Sequence, residues 1–255
     1  MIASFMSDLE RVLSQPRLER YRIDSSDDLE TIVAYLWNVS LSEALLQGIS
    51  AFEVALRNSI HNAFTRHAGT DQWFWSILKK NDLAVINAKW IKLAEIQRVP
   101  PTSGKVIADL TFGFWPFLFE SRYNEFWRNN GEYMLNAVFP YRPINVPPHQ
   151  KVDRAAILRR LNLFIDLRNR VMHHEPILFG IAQPDLGSPP PMIAVDVVHA
   201  QIVQTLNWIE PQCALRFPSS IVFPMSSKTN GQGSKPESKV TLASHKRCRK
   251  IPIRS

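Results

Sequence analysis

Apolar residues recur at helical spacing along most of residues 1–225, and this pattern predicts an all-α fold. The first long helix is predicted to start at residues 25–26, where acidic residues follow, and to end near His67, just before Gly69. A break within it is predicted near residues 38–40, which include Asn38 and Ser40. Its apolar stripe consists of Ile49, Phe52, Leu56, Ile60 and Phe64.

Four further helices are predicted from the same periodicity, over residues 82–98, 104 to about 119, 150–172 and 195–210. Ser103 is the expected cap of the helix that begins at residue 104, and Pro116 is expected to kink or end that helix. Pro176 stops the helix over 150–172, because the residue before a proline is pushed out of the α region. Loops over residues 140–148 and 183–191 precede the last two helices.

An aromatic run lies within the predicted helix over 104–119, and it consists of Phe112, Phe114, Trp115, Phe117 and Phe119. Together with Trp73, Trp75, Trp90 and Trp127 it offers surfaces on which RNA bases stack. Packing in the core is the favoured interpretation, because aromatic side chains dominate protein cores.

The formal net charge of +7 is located in the C-terminal segment. Residues 226–255 carry eight Lys and Arg and one acid, which leaves 22 basic and 22 acidic residues in 1–225. Because this segment also lacks aromatic residues, we predict a helical domain over 1–225 and a disordered basic tail over 226–255. The tail either adds non-specific affinity for RNA or is a solvated terminus without a role.

Composition excludes several classes of site. Glycine is scarce, and no GxxxxGK[ST] or GxGxxG pattern marks a phosphate-binding loop. Two cysteines are too few for a disulfide framework or a structural zinc cluster, so we expect no metal and no cofactor. No leader sequence is visible and no run approaches the ~18 apolar residues of a membrane helix, so we expect a soluble, cytoplasmic protein.

One stretch, at the end of the predicted helix over 150–172, concentrates side chains that can carry chemistry. Asn169 and His173 are four residues apart and share a helix face, and the long side chain of Arg168 reaches the same edge. His174 and Glu175 follow directly. Arginine binds phosphate with its planar fork, and histidine takes and returns protons near pH 7. This set suits metal-independent RNA cleavage, in which the ribose 2′-OH attacks the adjacent phosphorus and arginine stabilises the charge.

A structural role for the same residues is the alternative. Arg168 can pair with Asp166, Glu175 or Glu53, and the histidines can cap the last carbonyls of the helix. In that case no group in the stretch remains available for a substrate.

A second cluster lies on the first long helix, where Glu53, Arg57 and His61 follow one another at four-residue spacing on one face. These residues either support the site, as a second wall or by orienting Arg168 and His173, or form a salt-bridged helix surface.

The sequence resembles the Abi-like (abortive-infection) proteins of the HEPN superfamily. Residues 168–173, RNRVMH, match the R-x4-6-H motif of the superfamily, with the polar residue directly after the arginine. Three further stretches look like the Abi-like subgroup, FEVALRN at 52–58, LTFGFW at 110–115 and HHEPI at 173–177. The resemblance covers roughly residues 25–215 and leaves the basic tail outside.

The resemblance implies an all-α HEPN bundle that dimerises, so that the motifs of two subunits form one cleft. Arg168 and His173 would be the catalytic residues, with Asn169 as the supporting polar residue, and the motif spacing also admits His174. Many relatives are ribonucleases that act as toxins or in phage defence, whereas others only bind RNA or a protein partner. The expected partners are RNA, a second copy of the chain and an antitoxin protein; an Arg/His switch region without RNA also stays open.

Overall fold

The computed structural model describes residues 2–22, 27–147, 150–183 and 187–217. This part of the chain is mostly helical, which confirms the prediction of an all-α fold. The tail predicted over 226–255 lies outside the described residues. The α-helices are α1 (Ile2–Leu13), α2 (Gln15–Leu18), α3 (Asp28–Ala68), α4 (Phe74–Ile77), α5 (Lys80–Gln97), α6 (Ser103–Ala108), α7 (Asn124–Val138), α8 (Arg154–Met172), α9 (Val195–Ile209) and α10 (Pro211–Ala214). The remaining elements are the 3-10 helices Glu19–Tyr21, Phe112–Phe119 and Ser121–Tyr123 and the antiparallel strands β1 (Ile181–Ala182) and β2 (Met192–Ile193).

Helix α3 is the central element of the fold. Asp27 caps its start by accepting a hydrogen bond from the backbone N–H of Glu30, and Gly69 ends it in the left-handed conformation at φ +70°. The predicted break at residues 38–40 was wrong, since α3 is continuous there. The Asn38 side chain bonds to other elements and not to its own helix backbone, so it does not compete with the helical hydrogen bonds.

The core forms where α3 packs against α7, α8 and α9. The ring of Phe52 makes edge-to-face contacts with Phe112 and Phe164, at centroid distances of 6.0 and 5.2 Å. Most of the aromatic run is buried here, as is Trp73, which confirms that these rings mainly fill the core.

By length and composition alone, α3 is also apolar enough to cross a membrane. The core helix of a soluble protein meets the same criterion, and α3 packs against α7, α8 and α9 among other elements. The described residues thus show no clear pattern of a membrane protein, and the cytoplasmic location stays a prediction.

The region after α5 differs from the prediction of one helix over 104–119. Helix α6 already ends at Ala108, and Thr102, not Ser103, caps its start through a hydrogen bond from the N–H of Lys105. The aromatic run then forms a separate 3-10 helix with Pro116 inside it. The side chains of this run are buried on several sides and not along one stripe. Packing in the core, and not the α-helical period, therefore determines its conformation.

Helix α8 begins four residues later than the predicted start at residue 150. The carboxylate of Asp153 accepts a hydrogen bond from the N–H of Ala156 at 2.7 Å and caps the helix. The carbonyl of Val152 instead accepts one from the buried guanidinium of Arg142, which keeps this residue outside the helix. The predictions of helices over 82–98 and 195–210 are confirmed within two residues, whereas α7 and the hairpin around the loop 183–191 were not predicted.

Candidate functional site

The chain leaves α8 through a Schellman motif that fixes the residues after Met172. The N–H of Glu175 donates to the carbonyl of Arg170 at 2.8 Å, and the N–H of His174 donates to that of Val171 at 3.2 Å. His174 occupies the left-handed position of this motif, at φ +54°, where glycine is usual. The motif thus places two consecutive histidines, His173 and His174, on the end of the helix.

An ion pair reinforces the same turn. The guanidinium of Arg170 lies 3.5 Å from the carboxylate of Glu175, across the positions that a hydrophobic contact commonly joins in a Schellman motif. Glu175 is therefore engaged by Arg170 and not by Arg168.

Asn38 ties the segment after α8 to α3. Its side-chain amide donates to the hydroxyl of Tyr21 and to the carbonyl of Glu175, both at 3.1 Å. Its side-chain carbonyl accepts from the N–H groups of Ile177 at 2.7 Å and Leu178 at 3.1 Å. Because Asn38 is only 2% exposed, these bonds are shielded from water and hold the end of α8 in place.

The side chains of the predicted catalytic set face solvent at this end of α8. Asn169, His173 and His174 are exposed and Arg168 is half-buried. The guanidinium of Arg168 donates to the side-chain oxygen of Asn169 at 3.3 Å, and the N–H of His173 donates to the carbonyl of Asn169 at 2.9 Å. Within the described part of the chain, Arg168 forms no ion pair with a carboxylate. The guanidinium of Arg168 is thus oriented by the neutral side chain of Asn169.

A groove opens beside His174, between the end of α8 and the first half of α3. It has a volume of about 360 Å³, and its lining includes Tyr35, Val39, Leu46, Met172 and His174. At its base the rings of Tyr21 and Tyr35 meet edge to face at 5.5 Å. The groove is mostly apolar, and it brings the aromatic side chain of Tyr35 and the imidazole of His174 into one lining.

The second predicted cluster lies elsewhere along α3. The Phe52–Phe164 contact and the Asn38–Glu175 hydrogen bond show that α3 and α8 run antiparallel. His61 is therefore nine residues beyond that ring contact in one direction and His173 nine residues beyond it in the other, roughly 27 Å apart along the helices at 1.5 Å per residue. Within one chain His61 and His173 therefore do not meet.

Arg57 and His61 are bonded to segments that follow α3 in the chain. The guanidinium of Arg57 donates to the carbonyl of Ala108 at 3.2 Å, and no ion pair joins it to Glu53 among the described residues. The indole N–H of Trp73 donates to Nδ1 of His61 at 3.0 Å, and burial lowers the pKa of His61 against the weaker opposing effect of Asp71. The supporting role of Glu53, Arg57 and His61 stays a prediction.

The residues that sequence reasoning missed are those that hold the site. Asn38 and Tyr21 were not among the candidates, although an asparagine in an apolar stretch of a long helix is a signal for a buried hydrogen-bonding role. Among the described residues, no group of three His, Cys, Asp or Glu side chains is arranged to hold a metal ion.

No protein-family model, curated protein or solved structure matches this chain. The resemblance to Abi-like HEPN proteins therefore rests on the four short stretches quoted above, and a function has to be argued from the residues at the end of α8.

Proposed function

We propose that this protein is a metal-independent endoribonuclease of the HEPN type that acts in the cytoplasm as a toxin or in phage defence. The observation that carries the proposal is the state of Arg168, whose guanidinium has no carboxylate partner among the described residues. It lies within two turns of an exposed asparagine and two exposed histidines along the chain. A cation, a polar neighbour and proton-transfer groups at one accessible point are what phosphodiester cleavage requires.

The reaction would proceed by internal attack. A histidine takes the proton of the ribose 2′-OH, the 2′ oxygen bonds to the adjacent phosphorus, and the bond from phosphorus to the 5′ oxygen breaks. The leaving oxygen receives a proton, so the products are a 2′,3′-cyclic phosphate and a 5′-OH. Arg168 stabilises the extra negative charge on the pentacoordinate phosphorus, where its fork matches two oxygens.

The two histidines face different surroundings, and this suggests different roles. His173 follows Asn169 by four residues, a spacing that puts both side chains on one helix face, and we therefore assign the proton transfer to His173. His174 lines the groove with Tyr35 and Met172, where it can contact the nucleotide next to the scissile bond.

A second copy of the chain is the expected partner, because one helix end supplies only one wall of a cleft. The first half of α3 presents an exposed apolar face of Leu29, Val33, Leu36 and Trp37 at helical spacing. The groove beside His174 continues this face through Val39, which is 46% exposed. A two-fold contact on this surface would place two copies of the end of α8 near one another.

The same apolar face favours one alternative, a non-catalytic HEPN module that binds a protein partner such as an antitoxin. In that case the arginine and the histidines would contribute to binding of RNA or protein, and no cleavage would occur.

The experiment is RNA cleavage by the purified protein, with a labelled mixed-sequence RNA and EDTA present. We expect wild type to leave 2′,3′-cyclic phosphate ends, and Arg168→Ala and His173→Ala each to reduce the rate at least about 100-fold. Arg128→Ala is the matched control, since Arg128 is an exposed arginine on α7 and its loss changes the charge equally. Intact RNA with wild type, or equal cleavage by both site variants, would refute the nuclease.

A further inference from the structure

A second concave site lies between α8, α9 and the β1–β2 hairpin, away from the end of α8. Its volume is about 320 Å³, at the lower end of the range for small-molecule pockets, roughly 300–1,000 Å³. Its lining contains two consecutive arginines from α8, Arg159 and Arg160. Neither the catalytic set nor the groove beside His174 shares a residue with it.

Arg160 is a half-buried cation that forms no ion pair with any described residue. Its guanidinium lies 4.6 Å from the ring centre of Trp208 and donates to Gln204 at 2.8 Å and to Thr205 at 3.3 Å, all of them neutral groups. Burial lowers the pKa of Arg160, as expected where no anion offsets the loss of water. A partly desolvated charge of this kind is costly, and an anionic ligand would offset that cost.

Arg159 adds a second cation at the mouth of the pocket. Its side chain is exposed, and neither arginine forms an ion pair in the described part of the chain. Both arginines line the pocket, and a guanidinium group binds phosphate oxygens through its planar fork.

The rest of the lining selects among phosphate-bearing ligands. Asn162, Gln183 and Gln201 supply amide groups that both donate and accept, and Asp166 supplies a carboxylate. A carboxylate repels a bare anion but accepts hydrogen bonds from hydroxyl groups. The pocket therefore fits a ligand with a phosphate at one end and hydroxyl donors at the other.

We propose that this pocket binds a ribonucleotide, with the phosphate on Arg159 and Arg160 and the ribose hydroxyls on Asp166. The nucleotide is either free or part of an RNA chain; only in the second case does the inference rest on the proposed nuclease. Binding here needs no group at the end of α8, so it can be tested apart from cleavage.

The test uses the full chain with His173→Ala throughout, which blocks the proposed cleavage. Binding of the four ribonucleoside 5′-monophosphates, of inorganic phosphate and of a short labelled single-stranded RNA is measured by calorimetry or fluorescence. The variants are Arg159→Gln and Asn162→Asp, which alter exposed side chains of the pocket, and Arg128→Gln is the control with the same loss of charge. Circular dichroism and urea unfolding check that each variant is folded.

We expect saturable binding of a monophosphate, or of the RNA alone if the nucleotide belongs to a chain. Both pocket variants should weaken it at least about tenfold, and the control should not. Arg159→Gln loses one charge-assisted hydrogen bond, whereas Asn162→Asp adds a carboxylate that repels the phosphate. The inference is overturned if neither a monophosphate nor the RNA shows saturable binding. It is also overturned if both pocket variants bind like the control, or if inorganic phosphate binds as tightly as the nucleotide.

Discussion

His174 adopts a backbone conformation that glycine would adopt at less cost. At φ +54° a side chain costs about 1 kcal/mol relative to glycine, and glycine loses about as much through its greater freedom in the unfolded chain. We therefore expect His174→Gly to leave the free energy of unfolding within about 1 kcal/mol of wild type, as measured by urea denaturation. A loss above about 2 kcal/mol would show that the imidazole itself holds the turn.

This substitution removes an imidazole without disturbing the Schellman motif. Any change in RNA cleavage by His174→Gly can then be assigned to the lost side chain. His173 does not offer this separation, because it lies in ordinary backbone space at φ −94°.

His61 makes stability depend on pH. Its Nδ1 accepts the indole N–H of Trp73 and burial lowers its pKa, so the folded state binds a proton less readily than the unfolded state. The contribution of His61 to stability is therefore present above about pH 6.5, the unfolded value, and falls as the pH drops toward its folded pKa. We expect the urea concentration at the unfolding midpoint of wild type to decrease as the pH is lowered from 7 to 5.

The control is His61→Gln, which keeps an acceptor for the indole but cannot titrate. The difference between the two pH profiles isolates His61 from the other titrating groups. Parallel profiles over this range would contradict the assignment.

At the scale of elements, Asn38 joins α3 to the segment that follows α8. Asn38→Ala would leave the N–H groups of Ile177 and Leu178 without their partner, next to a buried tyrosine hydroxyl. Each unsatisfied buried group costs about 1–3 kcal/mol, so for the two N–H groups we expect a total loss of about 2–6 kcal/mol in urea denaturation.

Ser40→Ala is the matched control, because Ser40 is exposed on the same helix two residues away. It should change the free energy of unfolding by less than about 0.5 kcal/mol. Equal stability of the Asn38 and Ser40 variants would mean that the hydrogen bonds to residues 175–178 do not hold the end of α8.

Helices with one apolar stripe were predictable from the sequence, and elements set by tertiary contacts were not. The bounds of α5 and α9 follow from period and flanking residues to within two positions. The break expected in α3 was wrong because Asn38 finds partners on segments far away in sequence. The late start of α8 has the same origin, since the carbonyl of Val152 accepts a hydrogen bond from Arg142. Such contacts leave no local pattern.

For the whole molecule, the candidate site was predictable as far as it lies on one helix. Helical spacing alone brings Asn169 and His173 together, and the structure adds the Arg168 contact with Asn169. Spacing also places Glu53, Arg57 and His61 on one face, but it does not reveal which neighbour that face meets. That information depends on how α3 and α8 cross, which no single helix encodes.

Two chains are expected to associate through the exposed apolar face of α3. Leu36 is 50% exposed and Trp37 is 43% exposed on the apolar face that leads to the groove beside His174. In a two-fold dimer each residue enters the interface twice, so Leu36→Asp buries two unpaired carboxylates. We expect sedimentation to show a dimer for wild type and a monomer for Leu36→Asp, with RNA cleavage lost in the same variant.

Val85→Asp is the control, because Val85 is 40% exposed on α5 and its change is chemically alike. It should leave both association and cleavage as in wild type. A monomeric wild type that still cleaves RNA would mean that one chain holds a complete site. The groove beside His174, with Tyr35 in its lining, would then form the other side of the cleft in place of the partner. A Leu36→Asp protein that remains dimeric would instead place the contact on another surface.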